Sequence, residues 1–269
     1  MIPGDLLFWW AVLAYAGAAG LITFNKLHDN APSWATWWLV CAGWLSHLSL
    51  LAGRAKHAGG LQVDMVASAE LVAFMLGFIY LVSWVRKRQG IRSVGMLLLP
   101  AMTITLLISR FLAASAPTFR AMDDPLLFAH VILSLGAYAF FTIAMVVAVL
   151  DSYQVHALKS KHLGRIFSIL PSMGVLETYL FRLLWMGFGL LTLSIVSGLV
   201  FNQQMYGVLF QLTHKALFTY STWGVFALLL AGHRLFGWRG RRAVRLTLGG
   251  YALLVVGYLG VKFVREFFL

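Results

Sequence analysis

Four histidines lie within or at the edge of apolar stretches long enough to cross a bilayer: His47, His130, His214 and His233. Ionisable groups at membrane depth are rare, face a bundle interior or a cavity, and mark sites of chemistry. An imidazole there can ligate a metal, pass a proton or bond a neighbouring helix. Several of them in otherwise greasy segments point to a metal-centred or redox ligand. The bland alternative for His47 and His130 is a neutral ring bonded to an adjacent helix. For His214 and His233, nearer helix ends, it is a cap on open carbonyls. His28, His57, His156 and His162 read as solvated loop residues.

The elements that carry these residues follow from composition. The chain is 61% hydrophobic and 11% charged, against about 25% charged in a soluble domain. The expected fold is all-α, a polytopic membrane helical bundle of about eight transmembrane helices forming one integral membrane domain over residues 1–269. The spans are expected near Leu6–Leu27, Ser33–Arg54, Asp64–Val85, Ser93–Ala114, from Pro125, Glu177–Phe201, His214–Phe236 and Arg242–Phe267. The fifth extends as a helix past the membrane to Lys161. The first segment lacks a basic leader and a small-residue cleavage site, so it is expected to remain as a span. Cys41 is a lone thiol in an apolar run and reads as a small buried hydrophobe. Trp9, Trp10, Trp34, Trp37 and Trp38 fit interfacial belts.

A net charge of +12 would suggest nucleic acid in a soluble protein. Here the charges lie in short loops and act as orientation signals, so no nucleic-acid partner is expected. One set of alternate loops holds Lys26, Arg86, Lys87, Arg88, Arg92, Lys159, Lys161, Arg165 and Arg234, Arg239, Arg241, Arg242, Arg245. The other holds Arg54, Lys56, Arg110, Arg120, Lys215, Lys262 and Arg265. The first set outnumbers the second about two to one, which places it in the cytoplasm and both termini outside.

Depth then sorts the histidines. At ~1.5 Å per residue, His47 lies roughly 10 Å and His130 roughly 8 Å below the outer surface. Two axial nitrogens at one height suit a haem iron whose porphyrin stands edge-on to the bilayer. His214 sits at the outer boundary and His233 near the cytoplasmic one. Glu70 is level with His47 and is a candidate acceptor that fixes an imidazole tautomer; the alternative is a protonated acid bonded to a neighbour. Arg54, Arg110 and Arg120 ring the outer mouths of spans and could meet carboxylates such as haem propionates, or snorkel to headgroups. The face His130, Ser134, Ala137, Phe141, with Gly136, allows close approach of a flat ligand or another helix. HExxH, a P-loop and paired carboxylates on one helical face are missing, so neither hydrolysis nor phosphoryl transfer is expected.

Two stretches carry a family pattern: Phe128-Ala-His-Val-Ile-Leu-Ser-Leu-Gly-Ala-Tyr-Ala139, and His214-Lys-Ala-Leu, Thr222-Trp223, Gly232-His233-Arg with Gly237-Trp-Arg-Gly-Arg-Arg242. Together with Ser46-His47-Leu48 and Tyr258–Phe263 they resemble the cytochrome c assembly family of CcsA, CcmC and HemX-type proteins, and within it a YpjD-like inner-membrane branch. The resemblance implies a multi-pass protein of the bacterial inner (plasma) membrane that binds b-type haem non-covalently and handles or transfers it for cytochrome c biogenesis. It implies that histidines serve as haem ligands, with matches at His130 and His233; joined to the depth reading, this gives expected haem contacts from His47, His130, His214, His233, Glu70, Arg54, Arg110 and Arg120, with His47 and His130 on the iron. It implies that His233 serves an inner-leaflet site. Implied partners are haem, the lipid bilayer and other cytochrome c assembly or haem-synthesis proteins.

The chain departs from the family pattern in two places. The tryptophan-rich haem-presenting loop is missing from Asn202–Leu212, and Gly260-Val261-Lys262 stands where a second outer histidine is expected. No enzyme activity of the haem-lyase type is therefore expected. The alternative function is a HemX-like non-catalytic regulator or assembly partner of a haem-pathway enzyme. It would dock through the long fifth helix and Arg234–Arg245. A third reading, transport of another small ligand, uses Glu70 and the histidines as a proton relay.

Overall fold

The protein is seen in a computed structural model that describes residues 4–28, 34–58, 60, 65–85, 89–111, 124–160, 170–211 and 213–257. Among these residues it is all helical: α1 (Gly4–Leu27), α2 (Trp34–Ala58), α3 (Met65–Val85), α4 (Gln89–Phe111), α5 (Pro125–Lys159), α6 (Met173–Tyr206), α7 (His214–Phe236) and α8 (Arg241–Val255). Six helices, α1–α3 and α5–α7, are long and apolar enough to cross a membrane. The apolar part of α4 is the shorter Val94–Arg110. The expected fourth and eighth spans run on into residues 112–114 and 258–267, outside the described residues. At ~1.5 Å per residue, α5 and α6 are each about 50 Å long, well beyond a hydrocarbon core of about 30 Å. The fifth helix thus extends past the membrane as expected, and the sixth exceeds its expected Glu177–Phe201 at both ends.

Local chemistry sets the helix ends. Asp124 accepts from the amides of Leu126 (2.8 Å) and Leu127 (3.4 Å), and Pro125 occupies the first helical position, where a missing N–H costs nothing. Thr213 caps α7 by accepting from the Ala216 amide at 3.2 Å. Gly207 and Gly237 close α6 and α7 in the left-handed region, with φ of 67° and 63°. Inside the helices, hydroxyls bond the carbonyl four residues back: Ser46 to Ala42, Ser83 to Ile79, Thr103 to Leu99, Thr142 to Tyr138 and Thr192 to Phe188. That habit lets a polar side chain sit in an apolar medium with no outside partner. Leu13, Phe24, Ile104, Leu193 and Leu228 are more than half exposed, as helix faces turned to acyl chains would be.

The chain divides into two compact units. The first comprises residues 1–120 with 154–175, the second 121–153 with 176–269. In the first, α1 packs on α2 and α4, and α3 on α4 and α2. Its centre is Tyr15, Tyr80, Leu98, Leu99 and Met102, all fully buried. Gly43 makes room for the Tyr15 ring, since a Cβ there would come within 3.1 Å of it. Trp9, Trp10, Trp34 and Trp38 are at least half exposed; Trp37, between Trp34 and Trp38, is half-buried with its indole nitrogen inside. Cys41 is half-buried rather than buried.

In the second unit, Phe141 of α5 stacks on Phe226 of α7, centroids 4.1 Å apart and planes at 6°. A Cβ on Gly187 would come within 2.9 Å of Phe141, and one on Gly250 within 2.8 Å of Phe226. Tyr138 donates to the Leu254 carbonyl at 3.1 Å, and Trp223 to the Thr192 hydroxyl at 3.0 Å. These two glycines therefore set the closeness of four helices. Gly187→Ala and Gly250→Ala should each lower the stability of the detergent-solubilised protein by about 1–3 kcal/mol through overpacking. Gly224→Ala, where the new methyl meets nothing within 4 Å, should not. Thermal unfolding followed by circular dichroism checks the difference.

Candidate functional site

His130 sits one turn into α5, facing α6. Its Nδ1 lies 2.9 Å from the Ser194 carbonyl oxygen and 3.2 Å from the Ser197 hydroxyl. A carbonyl oxygen only accepts, so Nδ1 carries the proton and the lone pair is on Nε2. The Ser134 hydroxyl lies 3.5 Å from Nε2. That hydroxyl is already engaged with the His130 carbonyl at 2.7 Å and the Ser194 hydroxyl at 2.6 Å. Nε2 is left with its lone pair and no firm donor. The ring rests against Gly198, where a Cβ would approach Cε1 to 3.0 Å and Nδ1 to 3.2 Å. Three small residues of α6, Ser194, Ser197 and Gly198, thus hold the tautomer and the ring plane. A carbonyl bonded to the far nitrogen of a metal-ligating histidine plays this part in metalloproteins.

His47 is different. It is 1% exposed, and neither ring nitrogen has a hydrogen-bond partner. Aromatic rings surround it edge-on: Tyr15 at 6.3 Å and Phe74 at 5.8 Å between centroids. The Tyr15 hydroxyl is also buried without a partner. A buried polar group left unsatisfied costs about 1–3 kcal/mol, and the His47 nitrogens and the Tyr15 hydroxyl are among the buried groups that carry this cost.

Glu70 does not serve His47, which corrects the expected tautomer-fixing role. Its carboxylate is 2% exposed and takes the Arg54 guanidinium on one oxygen and the Ser109 hydroxyl on the other. The reason is electrostatic: a carboxylate buried in the bundle is held by the nearest cation rather than by a neutral ring. The pairing ties α2, α3 and α4 together. Arg54 gives one guanidinium nitrogen to Glu70 and stays half exposed. Arg110 is similarly bonded to Asp5 at 2.6 Å and lies over the Phe8 ring at 5.8 Å. Arg120 lies outside the described residues, as do His162 and the expected departure at 260–262.

His214 opens α7 and is exposed; Thr213, not His214, supplies the cap. His233 lies in the last turn of α7. It stacks on Phe181 at 3.4 Å and 14°, and its Nδ1 donates to the Trp238 carbonyl at 2.9 Å. The four histidines therefore fall into two units, His47 in the first and His130, His214 and His233 in the second. Ser109, Ser194, Ser197, Gly198 and Tyr15 escaped the sequence reading. The Ser194-x-x-Ser-Gly198 run inside an apolar span was the available signal for three of them.

Among the described residues no group of three His, Cys, Asp or Glu could hold a bare metal ion. An iron porphyrin brings four nitrogens of its own and asks for only one or two side-chain ligands. The lone pair of His130 fits that demand; the His47 nitrogens lack partners but are sealed from the surface.

The model of a family described as "Cytochrome C assembly protein" matches residues 63–269. The chain belongs to that family. The matched region holds His130, His214, His233 and Glu70 and excludes His47 and Arg54. The chain is similar to the inner membrane protein YpjD of Escherichia coli (strain K12), 28% identical over 263 residues, covering 95% of this chain and 96% of that protein. It is similar to a 28.8 kDa protein in a nifR3-like 5′ region of Azospirillum brasilense, 34% identical over 140 residues and covering 52% of each. It is also similar to the cytochrome c biogenesis protein CcsA of Synechococcus sp. (strain JA-2-3B'a(2-13)), 35% identical over 92 residues, 34% of this chain and 26% of that protein.

The ion pair sets an asymmetric expectation. Arg54→Gln leaves a buried carboxylate without its cation, whereas Glu70→Gln leaves a guanidinium that is half exposed. Arg54→Gln should therefore destabilise the protein more, by about 2–3 kcal/mol after allowance for solvent at the arginine. Thermal unfolding of the two variants checks the order.

Proposed function

We propose that this protein is a haem-binding protein of the bacterial inner membrane that holds and passes on haem for cytochrome c biogenesis, without itself being an enzyme. The observation that carries the reading is His130: a half-buried imidazole whose Nδ1–H is fixed on the Ser194 carbonyl and whose Nε2 keeps an open lone pair at a position on an apolar helix. Haem supplies an iron whose axial positions take imidazole nitrogens. The chain's own residues supply the rest. Ser194 and Ser197 fix the tautomer, Gly198 gives the ring its berth, and His47 offers a second imidazole within its own unit. Binding through histidine nitrogens alone is non-covalent, which suits a b-type haem. His233, whose Nδ1 is held on the Trp238 carbonyl as that of His130 is on Ser194, and the exposed His214 are further candidate ligands. Membership of the cytochrome C assembly family supports haem as the ligand. The printed names of the YpjD and CcsA relatives support the compartment and the process. Other proteins of cytochrome c assembly are the corresponding partners. The loop charges support an orientation with both termini outside the cytoplasm.

The test is an absorption spectrum of the purified protein after haem supply. A Soret band should appear, should be lost to acidified organic solvent, and should fall in His130→Ala and disappear when His47→Ala is added. The absence of a band in the wild-type protein, or a band indifferent to both substitutions, overturns the reading. Gly198→Ala should weaken haem retention about tenfold at unchanged helical content, because the added methyl occupies the berth of the ring. A loss of about 1.4 kcal/mol from a misplaced ligand is enough for that factor. A haem titration followed in the same absorption band measures it.

A further inference from the structure

The haem reading leaves one built feature unused, the turn between α7 and α8. Arg234, Arg241, Arg242 and Arg245 are exposed there, and no ion pair with an acid is seen for them among the described residues. Only Arg239 reaches a carboxylate, Glu177 at 3.7 Å. The turn is an ordered scaffold. Gly237 and Gly240 take φ of 63° and 55°, which side chains rarely allow. The Trp238 amide donates to the Gly232 carbonyl and the Gly237 amide to the His233 carbonyl, both at 3.2 Å. His233 returns a bond from Nδ1 to the Trp238 carbonyl and is itself braced by its stack on Phe181. The Trp238 ring lies on Gly232 so closely that no Cβ would fit. The Arg242 guanidinium sits over that ring, 5.9 Å from its centroid. Immediately before the turn, Leu235 and Phe236 are 73% and 74% exposed.

We propose that this turn binds the phosphate headgroup of an acidic phospholipid in the leaflet that the positive-inside rule makes cytoplasmic. α7 is one of the helices able to cross the membrane and ends at Phe236, so the turn sits at the membrane surface. Leu235 and Phe236 meet acyl chains while the guanidinium groups meet headgroups. The arginine fork matches two phosphate oxygens at once, which a lysine ammonium cannot do. The apolar pair beside it selects a lipid over a soluble anion. In this arrangement His233 is a positioning residue that pins the tryptophan carrying Arg242. The proposal stands apart from the haem reading and is tested without haem.

The experiment is native mass spectrometry of the full-length protein in neutral detergent, offered phosphatidylglycerol and phosphatidylcholine at equal concentration. Phosphatidylglycerol should be retained in preference. Arg241→Gln combined with Arg242→Gln should cut that retention about tenfold, as loss of two headgroup charges implies. Lys215→Gln, at the other end of α7, should leave it unchanged. Arg241→Lys combined with Arg242→Lys keeps the charge and removes the fork, and should fall between wild type and the glutamine pair. Gly232→Ala keeps every arginine and unseats Trp238, so retention should drop in protein whose circular dichroism is normal. Equal retention of the two lipids overturns the proposal. So does a lysine pair that holds lipid as well as wild type, which reduces the turn to diffuse positive charge; this arm decides the matter even where Gly232→Ala does not fold. Displacement by inorganic phosphate assigns the site to a soluble anion and overturns it as well.

Discussion

In a bilayer no water is at hand to satisfy a polar group, so every such group must find its partner within the protein. The rest of this structure depends on that constraint. It explains why serine and threonine hydroxyls turn back to the carbonyl four residues earlier, and why Trp44 spends its indole N–H on the Phe74 carbonyl at 3.0 Å. It also explains why His130 surrenders one nitrogen to Ser194. Where a group obeys the constraint, its role is fixed by what it bonds. Where it does not, as with both nitrogens of His47 and the Tyr15 hydroxyl, burial carries a cost.

The two deep histidines are therefore prepared in opposite ways. His130 has a single tautomer and a single plane, imposed by three small residues on the next helix. His47 has no such bond: neither ring nitrogen has a partner, and Tyr15 and Phe74 meet the ring edge-on. An oriented ligand loses little freedom on meeting iron, while a loosely determined one adapts to what it meets.

Charge follows the same logic. Glu70 is buried because Arg54 and Ser109 accompany it, and the pair joins three helices. The Glu70 carboxylate is shared between a cation on α2 and a hydroxyl on α4. At the α7–α8 turn the opposite holds. Among the described residues Arg239 alone of its guanidinium groups reaches a carboxylate, and that imbalance distinguishes the turn from Arg54 and Arg110, which both have acids.

Much of this was legible in the residues alone. Long runs of apolar side chains with 11% charge determine helices, because only helices satisfy the backbone in lipid, and Asp124-Pro125, Thr213 and Gly237 punctuate them by local chemistry. The family pattern around His130 and in the Gly237–Arg242 run was equally readable, since both are contiguous or regularly spaced. What the sequence could not determine was pairing. Glu70 and His47 share a depth, yet Glu70 chose Arg54 and Ser109; Arg110 chose Asp5, 105 residues away. The lone pair of His130 depends on a carbonyl 64 residues away. Depth along a helix is a one-dimensional quantity that sequence spacing supplies. Which face meets which neighbour is set by rotation about each helix axis and by the small residues that let two helices close, and only the tertiary structure decides that.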